Sequence, residues 1–167
     1  GFVYQPDPAS LKVSTIGGNI AENSGGPHCL KYGVTSNHIQ GLELVLNDGT
    51  VILTGGKTWD NPGYDIKGLF VGCEGTLGLV TKAILKLERA PEAVKTMLAI
   101  YETIEDGANT VSAIIAEGII PATLEMMDNR VMRAVEETIK VGYPLDAAAV
   151  LIIELDGMPE GMDENAG

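Results

Sequence analysis

Cysteine is nearly missing from this chain: Cys29 and Cys73 are the only two among 167 residues. So few thiols, without a secretory context, read as free rather than bridged, which points to a reducing, cytoplasmic setting. Basic residues are scarce too, with 11 Lys plus Arg against 23 Asp plus Glu. The resulting net charge of -12 repels phosphate backbones and anionic lipid surfaces, so nucleic acid is excluded as a partner class. A single dinucleotide is not excluded, because converging backbone N–H groups can hold a pyrophosphate without any lysine. No run approaches the roughly 18 apolar residues of a membrane span, and residues 1–10 lack the basic start and apolar stretch of a secretory leader. No integral membrane segment is expected. His28 and His38 are the only histidines. His28 beside Cys29 makes at most two ligands, too few for a metal site, and His38 reads as a surface or hydrogen-bonded residue rather than a base.

What the chain has in quantity is glycine, 21 residues, most of them clustered between Gly17 and Gly78. With 45% hydrophobic residues it can bury one respectable core or two small ones. Residues 1–10, with Pro6-Asp7-Pro8, read as an extended lead-in. Gly17-Gly18 read as a glycine turn feeding a helix of one or two turns that stops before Gly25-Gly26-Pro27. Residues 42–54 alternate around Asn47-Asp48-Gly49 and predict a β-hairpin. After a polar loop through Trp59, Pro62 and Gly63, where Trp59 with Tyr64 nearby reads as packing, residues 66–89 predict a helix or strand, a glycine turn and a strand. In that strand Ala83, Leu85 and Leu87 alternate. Beyond Pro91 the texture changes to β-α-β-α-β, which suits an open sheet with helices on one face in an α+β arrangement. Glu125 and Asp128 read as complements to a helix dipole rather than an acid-base pair. Residues 160–167 have no periodicity and are expected to fray, and the chain looks cut at both ends.

Two motifs carry chemistry. Thr15-Ile16-Gly17-Gly18-Asn19 is neither a P-loop nor a G-x-G-x-x-G fingerprint. Its glycines would allow positive φ and close approach of backbone to anionic oxygens, although a plain tight turn remains an equal alternative. Gly72-Cys73-Glu74-Gly75-Thr76-Leu77-Gly78 spaces three glycines at every third position around a carboxylate and a hydroxyl. That pattern lets main chain address an adenine or ribityl edge, with Glu74 alternatively a turn or cap residue.

The ordered series STIGGNIAENSGGPHCLKYG, GLELVLNDGTVI, GYDIKGLF and GCEGTLGLVT, running through roughly residues 4–157, resembles FAD-linked oxidases of the vanillyl-alcohol oxidase, or PCMH, type. Within them it is most similar to the glycolate oxidase FAD-subunit group, which includes D-lactate and D-2-hydroxyglutarate dehydrogenases. The resemblance implies an α+β chain: residues 1–90 as the second lobe of the FAD-binding domain, and residues 91–167 as the start of a ferredoxin-like substrate, or cap, domain. It places Thr15, Gly17, Gly18 and Asn19 against the FAD pyrophosphate, and Asn23 and Gly26 near the flavin. Glu74, Gly75, Thr76, Gly78 and the backbone of Val80 fall on the ribityl and adenosine part. Cys73 stands where serine is common, an exchange that costs hydrogen-bonding strength more than space.

The implied reaction is oxidation of a 2-hydroxy acid with hydride transfer to flavin N5 and reoxidation by a separate electron acceptor. A first lobe would precede Gly1 and a histidine-rich motif would follow Gly167, so no catalytic residue is assigned to this chain. Half a cradle should hold FAD weakly. Two rivals stand beside this reading: the FAD-bearing electron-transfer subunit of a molybdenum hydroxylase, which shares T-I-G-G-N but not the KYG and EGTLG segments, and a non-catalytic remnant of the fold.

Overall fold

The computed structural model describes residues 1–58 and 63–159. The chain divides into two compact units, Gly1–Ala90 and Pro91–Gly167.

In the first unit the lead-in is held at its start: β1 (Phe2–Val3) pairs antiparallel with β5 (Glu88–Arg89). Helix α1 (Ile16–Glu22) follows, and then a four-residue helix, α2 (Cys29–Tyr32), and a 3-10 turn over Thr35–His38. The three-stranded sheet is ordered β3-β2-β4, all antiparallel, from β2 (Ile39–Val45), β3 (Val51–Gly55) and β4 (Leu79–Leu85). The hairpin turn forms as the sequence predicts. Gly49 takes φ 84°, and Asp48 Oδ1 accepts from Thr50 N at 2.9 Å. Its second strand departs from the simple pattern. Leu44 faces Ile52 across the ladder, so Ile52 joins Leu42 and Leu44 at the core, while Val51 and Leu53 point outward, 59% and 78% exposed. The stretch after the polar loop resolves as helix α3 (Ile66–Phe70), capped by Asp65. Phe70 packs with Ile20, Ile39, Leu42 and Leu44 in one core, against which Ala83 and Leu85 lie. Leu87 falls beyond β4 and is half exposed. Tyr64, expected to pack, is 93% exposed. Trp59, Pro62 and residues 160–167 lie outside the described residues.

The second unit follows β-α-β-α-β: β6 (Ala93–Tyr101), α4 (Ile104–Ala116), β7 (Thr123–Asp128), α5 (Asn129–Thr138) and β8 (Ala149–Gly157). β8 lies between β6 and β7 and is antiparallel to both. Thr103 caps α4 by accepting from Asp106 N, with Glu105 and Asp106 in the first turn to complement the dipole. Asp128 caps α5 through Val131 N at 2.9 Å, as expected of it. Glu125 instead sits exposed within β7 and belongs to no helix start. The helices also do not share one face. A Cβ on Gly107 of α4 would meet Met126 and Tyr101, whereas Met132 of α5 packs with Val150 and Met127, the neighbours that point the other way along their strands.

Candidate functional site

Thr15 is extended (φ -110°, ψ 157°) and its hydroxyl oxygen accepts from Gly18 N at 3.0 Å, so the helix starts directly after it. Gly17 and Gly18 therefore lie inside the first turn of α1, not in a turn ahead of it, and neither has positive φ. The two glycines owe nothing to a left-handed turn, contrary to the expectation from their spacing. What distinguishes Gly17 is space: a Cβ built there meets nothing within 4 Å. Glycine in a helix interior costs about 0.5–1 kcal/mol against alanine, and here neither conformation nor packing within the unit demands it. Asn19 is 4% exposed and lies against the core side of the same helix.

Asn23 ends α1 in the left-handed conformation (φ 51°), its N–H turned back to Asn19 and Ile20 carbonyls. Its side-chain oxygen accepts from Ser36 N at 2.8 Å. Gly26 has a steric role within the fold: a Cβ there would lie 2.3 Å from the Asp7 carbonyl oxygen. Asp7, which sequence reading passed over, also pairs with His28 Nδ1. Cys29 Sγ accepts from Gly26 N at 2.8 Å. Thus His28 and Cys29 each serve the packing of the lead-in and the loop. His38 is buried, 1% exposed, with Nε2 bonded to the Tyr32 carbonyl at 2.9 Å. It is hydrogen-bonded, as expected, but not on the surface. Tyr4 meets the His38 ring edge-on at 5.9 Å between centroids. Burial pushes the Tyr4 phenol pKa up, and the Thr35 hydroxyl offsets part of that.

The second glycine motif closes onto the first. Gly72 N donates to the Ile20 carbonyl at 2.8 Å and Glu74 N to the Ala21 carbonyl at 3.0 Å, satisfying the C-terminal carbonyls of α1. The loop reaches them by an unusual backbone. Gly72, Glu74 and Gly75 all have positive φ, at 83°, 52° and 74°. Around Gly75 a Cβ would find open space, so its glycine answers to φ alone. Thr76 turns its hydroxyl onto the Cys73 carbonyl. Gly78 is needed for contact, since a Cβ would come within 3.1 Å of the Val45 carbonyl and 3.2 Å of the Phe70 ring. Val80 is partly buried on the core side of β4. Thr15, Gly17 and Gly18 thus begin the helix whose last turn holds Gly72 and Glu74. Asn23, Gly26 and Gly78 have internal partners that the motif spacing did not reveal. Among the described residues no helix is long and apolar enough to cross a membrane.

Comparison with known proteins gives two family matches. Residues 1–55 match an FAD binding domain, and residues 90–166 match the C-terminal domain of FAD linked oxidases. A glycolate oxidase subunit, GlcD, of Bacillus subtilis is 55% identical over 99% of the chain, which covers 35% of that protein. The GlcD subunit of Escherichia coli K12 is 45% identical over 97% of the chain and 32% of its own length. A D-lactate dehydrogenase of Anaerostipes hadrus is 34% identical over 96% of the chain and 35% of its own length. The chain therefore spans about a third of the curated relatives it matches. Among solved structures, an alkyldihydroxyacetonephosphate synthase superposes with a TM-score of 0.84 over 99% of the chain and 32% of the synthase, at 22% identity, a likeness of fold.

Proposed function

Since the chain belongs to the FAD-linked oxidases, we propose that it is part of a flavoprotein that oxidises a 2-hydroxy acid of the glycolate or D-lactate kind and passes the electrons to a separate acceptor. In this reading residues 1–90 form the second lobe of the FAD-binding domain and residues 91–167 begin the substrate domain. The junction of the two compact units at Ala90 and Pro91 and the two family matches support that division.

The observation that carries the reading is Gly17: the first turn of α1 keeps a glycine that its own fold does not require, beside open space. That is where main chain would lie against a pyrophosphate. Thr15, Gly17, Gly18 and Asn19 would form this side, Thr15 fixing the helix start through Gly18 N and Asn19, buried on the core side, holding the helix in place rather than facing the cofactor. Glu74, Gly75 and Thr76, with Val80 backbone beyond, would line the ribityl and adenosine side. Bound FAD would supply the two-electron redox chemistry, and these residues would hold and orient it. The two free thiols support a cytoplasmic setting.

The experiment is an anaerobic titration of the purified full-length polypeptide with glycolate and D-lactate, followed by visible absorption. Flavin bands that bleach with one of them establish the reading. A protein that stays colourless after incubation with FAD overturns it.

A further inference from the structure

Asn23 belongs by sequence to the glycine-rich segment assigned to the cofactor, yet its side-chain oxygen is committed elsewhere, accepting from Ser36 N at 2.8 Å. We infer that Asn23 is a positioning residue that sets the spacing of the two FAD-facing motifs without touching FAD, an inference that rests on the flavin reading above.

Three observations converge on it. Asn23 occupies the left-handed position that stops α1, with φ 51°, a conformation that asparagine and glycine tolerate and most side chains resist. Stopping there exposes the Ile20 and Ala21 carbonyls at the end of the helix, and these are the two acceptors used by Gly72 N and Glu74 N. Gly72 also passes close beside Asn23: a Cβ on Gly72 would stand 3.2 Å from Asn23 Cβ. On the opposite side the Asn23 amide is pinned to the 3-10 turn at Ser36, and Thr35 in that turn donates both N–H and hydroxyl to the Ser24 carbonyl. One residue thus sits between the end of the first motif's helix, the loop of the second and a fixed turn. Shifting it moves the loop at Glu74 and Gly75 relative to Thr15 and Gly17, which changes the span a dinucleotide must bridge.

Two variants separate this role from its rivals, made in the FAD-loaded full-length polypeptide. Asn23→Gly keeps the left-handed backbone and removes the acceptor for Ser36. Asn23→Asp keeps an acceptor and places a charge at the same point. The expected result is that Asn23→Gly weakens FAD binding about fivefold, the worth of one lost hydrogen bond. Amide exchange should quicken at Ser36, Gly72 and Glu74 in the same variant. Asn23→Asp should keep FAD affinity within about twofold, with the visible bands of the bound flavin unmoved. Bands displaced in Asn23→Asp, or affinity lost equally in both variants, would mean direct contact with the cofactor and overturn the inference. So would an Asn23→Gly protein that melts earlier but binds FAD like the parent, which would mark a purely structural role. A parent polypeptide that binds no FAD would instead remove the flavin reading itself, so the two failures are distinguishable.

Discussion

Gly17 and Gly26 look alike in sequence, yet they differ in what surrounds them. Replacing Gly17 by alanine adds a methyl group into open space at a helical φ, so the chain itself should gain about 0.5–1 kcal/mol in stability. FAD binding by the full-length polypeptide should fall in the same variant. Replacing Gly26 drives a Cβ into the Asp7 carbonyl and should cost about 1–3 kcal/mol. Thermal melts of both variants check the pair; a destabilising Gly17→Ala would mean that the glycine serves the fold after all. Glu43 offers a pH test. Its carboxyl lies below the ordinary value because Lys82 and then the Thr81 hydroxyl hydrogen-bond to its charged form, with the charge of Lys82 adding. A lowered folded pKa means the pair's contribution is complete above the unfolded pKa and is lost as pH falls through the folded one. In Lys82→Met the Glu43 titration, followed by carbon-detected NMR, should move upward toward an ordinary glutamate. An unmoved curve would remove Lys82 as the cause.

At the level of elements, legibility followed locality. The hairpin around Asn47-Asp48-Gly49 was readable because its turn is fixed by residues adjacent in sequence. The β-α-β-α-β order of the second unit was readable from apolar spacing, and Asp128 from its position before an amphipathic run. Asp128→Ala should cost about 1 kcal/mol by leaving the Val131 N–H uncapped, measured by denaturant unfolding. No change in the midpoint would show that the cap is not carrying that turn. Three features escaped the sequence for one physical reason. The outward turn of Val51 and Leu53, the distribution of α4 and α5 over two faces, and the committed side chain of Asn23 are all set by partners distant in the chain. The start of α1 is hidden from the sequence for a different reason. Glycine pairs suggest turns, but a threonine cap can draw them into a helix.

For the molecule as a whole, the two glycine motifs were recognisable separately, whereas their junction was not, because hydrogen bonds from Gly72 and Glu74 to α1 leave no periodic trace. The surface carries Val13, Leu53 and Leu79 exposed at 83%, 78% and 67%. A chain spanning a third of its relatives, with such apolar groups uncovered, should bind a hydrophobic dye and associate at micromolar concentration when made alone. It should also hold FAD far more weakly than the full-length polypeptide does. Dye fluorescence and light scattering test the first statement, and equilibrium dialysis the second. A dye-silent monomer would show that these groups are covered within the chain.

The bond from Gly72 to Ile20 has a temporal side as well. Seven residues make too short a helix to persist in water unaided, and nucleating one is unfavourable. α1 therefore depends on carbonyl partners that a ribosome delivers only after the whole β2–β3 hairpin has emerged. Closing that long loop comes late on entropic grounds. The end of the first unit proposed to hold the cofactor is thus expected to be among the last parts of it to become ordered during synthesis, since a nascent chain halted before Gly72 lacks both N–H donors that close the end of α1.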